Sequence, residues 1–312
     1  MHWITFALAG YFFNAITTIF DKFLLAGRIR EPVVYAFFVS ILSIFAIVLV
    51  PFGYQPIASQ TVSLFVISGM FFLYGLVAFY TAVQRSEISR VAPLVGITTA
   101  LIAGAASLVF GPASQISFSP GHFFSLLLLL SGAFLVAFDL PIKKHDALMP
   151  STVLAGGFMA VSLIFLKIGY QEADFVNGLL WSRLGFILGG FSLLIIPGYR
   201  HAILSNTQGL SASNRRDVST GLLFILNKIF GALATFCLTY AAFLGPVTFI
   251  QALNGVQYVF VFILTVPLAL RFPGIFEERL DFWDWFQKGV AVLCIGLGMW
   301  LAVTQGVDFL FL

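Results

Sequence analysis

Apolar stretches about as long as a bilayer is thick recur along the whole chain, and they decide what it can fold into. A helix needs ~20 mostly apolar residues to cross the hydrocarbon core. Ten such segments fit the sequence, at roughly 3–20, 33–51, 62–83, 91–110, 122–140, 151–169, 176–197, 218–242, 247–270 and 288–305. Little chain is left for anything but short connections. With 60% hydrophobic and 9% charged residues and a mean hydropathy of +1.02, the composition lies far from the soluble balance. The expected fold class is therefore all-α, a polytopic membrane protein of ten transmembrane helices. Asp21 and Lys22 follow the first segment at once, and no basic leader or small-residue cleavage site accompanies it, so it reads as a retained helix.

Several function classes drop out on composition. Cys237 and Cys294 both fall inside spans and read as small apolar side chains. His2, His122, His145 and His201 sit at segment ends or in connections, none with a second ligand at metal spacing, so no metal or other cofactor is expected. The net charge of +3 is spread over short loops without a basic run, which gives nucleic acid no footing. An intramembrane enzyme would need a nucleophile and base within the spans, and none is visible. The acids Glu277, Glu278, Asp281 and Asp284 lie among Phe282, Trp283, Trp285 and Phe286, a mixture suited to the headgroup layer.

Basic residues partition unevenly among the connections. Lys22, Arg28 and Arg30 follow the first span, Arg85 and Arg90 the third, Lys143 and Lys144 the fifth. Arg200, Arg215 and Arg216 follow the seventh, and Arg271, Arg279 and Lys288 the ninth. Connections after even-numbered spans hold none, apart from Lys167 at the end of the sixth. Short loops rich in Lys and Arg stay cytoplasmic, so both termini are expected outside, in a cell (inner) membrane. Residues 198–217 read as a polar, mobile cytoplasmic loop.

Lys228 breaks the apolar pattern. It lies ten residues past Val218, ~15 Å along a helix, where exposure to lipid would cost at least ~2.5 kcal/mol. Helical spacing surrounds it with Gly221, Gly231, Ala232, Thr235, Thr239 and Ala242. On the next span Gln251, Asn254 and Tyr258 share one face. Two readings stand for Lys228: an anion contact lining a cavity, or a bond to backbone carbonyls that locks packing. In the first span Tyr11, Asn14, Thr18 and Asp21 align, and in the third Tyr74 and Thr81, as cavity wall or as interhelical hydrogen bonds. Arg183 lies two turns into the seventh span, where snorkelling and inward pairing both fit. Lys167 is expected to snorkel to water. No Asp or Glu falls in the middle of a span, which disfavours exchange of protons for cationic drugs and suits an anionic or zwitterionic solute.

The two halves of the chain are similar at low identity. A shift of 146 lays the segment from Ala7 over that from Val153, so that Gly10 meets Gly156 and Pro51 meets Pro197. Further on the shift grows to about 160, placing Phe79 over Thr239, and the 198–217 segment accounts for the extra residues. Five spans per half forces the halves into opposite orientations, an architecture on which alternating access is built.

With AFYTAVQRSEISRVAPL in the first half, LTYAAFLGPVTFIQALNG in the second and the end segment IFEERLDFWDWFQKGVAVLCIGLGMWL, the chain resembles the EamA family of the drug/metabolite transporter superfamily. The likeness runs from Trp3 to about Thr304. It departs where the first half has Ser117 and Ser119 in place of an acidic residue before the fifth span. Members of the family keep both termini in the cytoplasm. The loop charges here place them outside, and relatives in the superfamily insert either way round. The resemblance implies two five-helix repeats, residues 1–145 and 146–312, and a transporter.

The function expected is secondary transport, as an exporter, of a small anionic or zwitterionic metabolite such as an amino acid or a phosphorylated solute. Lys228 is the anion contact, with Gln251, Asn254, Tyr258, Asn14, Tyr74 and Arg183 as further substrate-binding residues. The alternative is a flippase for a phosphate-bearing lipid carrier. Partners are the solute and the lipid bilayer. Alkaline phosphatase fused after Thr304 should be active and a fluorescent protein fused there dark; the reverse pattern places that terminus in the cytoplasm.

Overall fold

The computed structural model describes residues 2–27, 31–85, 88–110, 120–137, 150–209, 215–245, 247–271 and 282–304. Arg28, Arg30, Ser117, Ser119, Asp139, Lys143, Lys144, His145, Glu277, Glu278, Arg279 and Asp281 lie outside these, as does the expected boundary between halves at 145/146.

Among the described residues every regular element is helical: α1 (His2–Gly27), α2 (Pro32–Leu42) continued as a 3-10 stretch (Ser43–Phe52), α3 (Ser59–Arg85), α4 (Ile88–Phe110), α5 (Pro120–Ala137) and α6 (Pro150–Tyr170). There follow α7 (Phe175–Leu193), α8 (Pro197–Gly209), α9 (Arg215–Leu244), α10 (Val247–Ala252), α11 (Asn254–Arg271) and α12 (Phe282–Thr304). Among the described residues five helices are long and apolar enough to cross a membrane, or six if α7 and the bent-away start of α8 form one broken span. Shorter apolar stretches lie at Leu94–Ala106, Phe123–Leu135 and Gly289–Gly298.

Two local expectations are corrected. The segment read as a mobile loop begins with helix α8, turned 96° from α7. Pro197 explains the break: its ring cannot donate to α7's ladder, but its fixed φ suits the first position of a new helix. The ninth segment is likewise two helices, α10 and α11, interrupted at Leu253.

Small residues let the helices touch where they cross. A Cβ on Gly69 of α3 would collide with the Ser182 carbonyl of α7, and one on Gly185 of α7 with the Val66 carbonyl of α3. These two backbones are in direct contact. At the crossing of α5 and α12 the contacts are reciprocal. A Cβ on Gly132 would meet the Ala291 carbonyl at 2.9 Å and the Ile295 nitrogen at 3.1 Å. One on Gly298 would meet the Ser125 carbonyl and the Leu129 nitrogen, each at 3.0 Å. Ser125, Leu129 and Gly132 thus stand to α12 as Ala291, Ile295 and Gly298 stand to α5, at a constant offset of 166 (291 − 125, 295 − 129, 298 − 132). Ser125 adds a hydrogen bond from its hydroxyl to the Gly298 carbonyl at 2.7 Å. Packing through small residues replaces the hydrophobic force that lipid cannot supply.

The outside of the body is apolar. Ile44, Phe45, Ile47, Val48 and Phe52 of the 3-10 stretch and Leu222, Ile225, Ile229 and Leu233 of α9 are all exposed, apolar side chains of the kind lipid covers. Gly132→Leu or Gly298→Leu forces the α5–α12 crossing apart and should cost roughly 1–3 kcal/mol each in thermal unfolding in detergent. A Tm unchanged in both variants refutes the tight crossing.

Candidate functional site: a buried ion pair between α1 and α9

Helix α1 carries a polar stripe, and every member of it is bonded to a neighbouring helix. Tyr11 donates from its hydroxyl to the Ile250 carbonyl of α10 at 2.5 Å. One turn on, Asn14 donates through Nδ2 to Oε1 of Gln257 on α11 at 2.8 Å, and Gln257 donates through Nε2 to the Thr18 hydroxyl at 3.0 Å. The stripe ends at Asp21, whose side chain is 8% exposed. Spacings of three and four residues put Tyr11, Asn14, Thr18 and Asp21 on one helical face.

Asp21 is the centre of the largest polar cluster among the described residues. Its Oδ1 accepts from the Tyr35 hydroxyl of α2, from Asn227 Nδ2 of α9 at 2.5 Å and from Lys228 Nζ of α9 at 3.4 Å. Its Oδ2 has a long contact from the Tyr80 hydroxyl of α3 at 3.5 Å. Asn227 also donates to the Tyr35 oxygen at 3.0 Å. The rings of Tyr35 and Tyr80 meet edge to face at 4.8 Å, and Phe224 closes against Tyr35 at 5.5 Å. A carboxylate in an apolar body needs this many donors, because stripping its water costs several kcal/mol that only paired and hydrogen-bonded geometry offsets.

Lys228 is less completely served. Its ion pair with Asp21 is long at 3.4 Å, its side chain is 14% exposed, and its other neighbours are aromatic faces, Tyr35 at 4.5 Å and Phe224 at 5.2 Å. Cation–π contacts stabilise an ammonium without satisfying its N–H groups. Its helical neighbours at minus seven and plus four, Gly221 and Ala232, are exposed, and nothing lies within 4 Å of a Cβ on Gly221. The nitrogen is therefore turned toward protein, at the rim of the packed face of α9.

This overturns one expectation. Asp21 closes the apolar part of α1, but the helix runs on to Gly27 and holds the carboxylate inside, so the conclusion that no buried acid accompanies Lys228 fails. The packing alternative for Lys228 fails in its stated form too, since its partner is a carboxylate and not backbone carbonyls. Lys167 is the lysine that does bond backbone. Instead of reaching water, it donates to the carbonyls of Ala242 and Gly245, each at 2.9 Å, and Phe243 at 3.5 Å, capping the C-terminal end of α9.

The remaining expected site residues are dispersed. The Asn14 amide is occupied by Gln257. The side chain of Asn254 lies against Gly96 of α4, with its Cβ 3.2 Å from a Cβ placed there, and its Oδ1 is buried without a hydrogen-bond partner among the described residues. Tyr74 bonds Ser192 of α7 at 2.5 Å, hydroxyl to hydroxyl. Arg183 stands over the ring of Phe186, 5.7 Å from its centre. The side chains of Gln251 and Tyr258 lie outside the described residues. Among those described, none of the seven hydrogen-bonds another. Tyr35, Tyr80, Asn227 and Gln257 were missed from the sequence, and Asp21, placed on the α1 stripe, was not paired with Lys228. An amide directly before Lys228 and an acid completing the α1 stripe were the available signals.

No family model and no curated protein matches the sequence. Several solved structures are similar; one of them, a crystal structure, matches with a TM-score of 0.63 and 13% identity, covering 97% of this chain and 99% of that one. At that identity the likeness is one of fold, and it extends over the whole length of both chains.

Asp21→Asn and Lys228→Met should each destabilise the protein by about 3 kcal/mol, because each strands a buried partner, and the double variant should lose clearly less than the sum. Thermal unfolding of the four proteins measures the coupling; strict additivity disproves the pair.

Proposed function

We propose that the chain is a secondary transporter of a small anionic or zwitterionic metabolite, an exporter resembling the EamA family of the drug/metabolite transporter superfamily. The observation that carries this reading is Lys228, an ammonium held inside an apolar body by one long ion pair and two aromatic faces, with N–H groups left over among the described residues. A carboxylate or phosphate of a solute completes that shell. A charge is costly among membrane helices, and groups of this kind mark solute and ion pathways.

Ten spans arranged as two inverted five-helix repeats accommodate the helix order, and the reciprocal contacts of Gly132 and Gly298 support that arrangement. Equivalent helices related by a two-fold axis in the membrane plane would cross with interchangeable contacts. Close packing at one end of the body fits alternating access: Trp3 packs on Gly245, a Cβ there lying 2.7 Å from the indole, and Lys167 holds carbonyls at the end of α9. With α1 rising ~1.5 Å per residue, Asp21 lies ~28 Å from that end, and Lys228 lies ~24 Å from Leu244. The ion pair thus faces the Gly27 side, cytoplasmic on the loop charges, in the inner membrane with both termini outside.

Uptake of radiolabelled amino acids and sugar phosphates into proteoliposomes tests the reading. Transport of at least one is expected, falling to background in Lys228→Ala; full transport by Lys228→Ala removes Lys228 from the solute path.

A further inference from the structure

The charges of the cluster constrain what travels with the solute. Asp21 and Lys228 together are neutral, and among the described residues no other formal charge contacts either one. The groups facing the carboxylate are Tyr35 from α2, Tyr80 from α3, and Asn227 and Lys228 from α9, while α11 brings only the neutral Gln257 to Thr18, one turn earlier. A monoanion arriving at Lys228 would leave a net negative charge in a body with little water, and such an unbalanced charge resists carriage across the bilayer.

The neighbours of Asp21 are suited to a change in its protonation. Hydroxyls donate or accept according to need, and an amide offers both functions. Asn227 is fully buried and donates through Nδ2 to Asp21, yet its Oδ1 has no hydrogen-bond partner among the described residues. Turned about its terminal bond, the same amide accepts from a protonated carboxyl as readily as it now donates to a carboxylate. Lys228, whose ammonium only donates, loses its counter-charge when Asp21 is neutral, and it can then pair with another anion.

We propose that Asp21 takes up one proton when an anion binds at Lys228, so that anion and proton are carried together. The balance is simple: carboxylate plus a proton from water gives the carboxylic acid, and the anion replaces the carboxylate as partner of the ammonium. Charge is zero in the empty site (−1 and +1) and zero in the loaded site (0, +1 and −1). Both forms can cross. The inference rests on Lys228 as the solute contact, and Asp21 is the regulating group of that same site.

Calorimetric titration of the full chain in nanodiscs with lactate and with glutamate at pH 7.5, in buffers of differing ionisation heat, counts protons bound per anion. About one proton per anion is expected for the wild type, by linkage between the two sites. Asp21→Asn, fixed in the neutral form, should bind the anion without a proton and more tightly than the wild type at pH 8. Binding by the wild type without proton uptake overturns the proposal while leaving Lys228 as the contact. An unchanged proton count in Asp21→Asn overturns it as well. Failure of both anions to bind removes the Lys228 contact, and the coupling falls with it.

Discussion

The carboxylate of Asp21 holds more of this structure in place than its size implies. An ionised carboxylate without water or partners is not tolerated in an apolar interior, so each of its donors is compulsory. Those donors come from three helices: Tyr35 on α2, Tyr80 on α3, and Asn227 with Lys228 on α9. One side chain of α1 therefore fixes the rotation of three neighbours at a single depth. Apolar packing, which tolerates sliding of similar surfaces, supplies no comparable registry among helices so rich in Phe and Leu.

The same logic runs along α1. Tyr11 ties it to α10, and Asn14 and Thr18 tie it to α11 through one glutamine that both donates and accepts. Helix α9 is held differently. It is gripped at its C-terminal end by Lys167 and in its middle by Asp21, but its stretch toward Arg215 presents exposed Gly221, Leu222, Ile225 and Leu226. Between them Leu223 and Phe224 pack against the interior, beside the ion pair.

Much of the helical body was legible because twenty-residue apolar stretches admit few other structures, and Lys228 stood out because a lysine inside one is anomalous. The α1 stripe was legible from spacing alone. Its partners were not, since Asp21 and Lys228 are 207 positions apart and only the crossing of α1 on α9 joins them. Reading Asp21 as a helix-end charge went wrong for a local reason: α1 continues six residues beyond it, to Gly27, so a residue at the apolar boundary remains inside the bundle. For α8, polarity concealed a helix, because Ser, Asn and Arg signal loops only when no proline starts a new turn just before them. Arg183 and Tyr74 were chosen for polarity within spans, a criterion equally met by residues that bond or stack on the adjacent helix.

The sequence offset of 146 that lays Gly10 over Gly156 also lays Asp21 over Lys167 (167 − 21). The two positions carry opposite charges, and both hold α9. A carboxylate needs donors, and α9 offers them as the side chains of Asn227 and Lys228 partway along its length. An ammonium needs acceptors, and α9 offers those as the free carbonyls of its last turn, at Ala242, Phe243 and Gly245, where the helix dipole also favours a cation. The two positions are therefore not chemically equivalent. The grip of Lys167 is on backbone and has no titrating partner, whereas that of Asp21 is on a side-chain cation whose own shell is incomplete. Only the grip of Asp21 is a side-chain ion pair, and that asymmetry is what the proposed solute site and its proton coupling rest on.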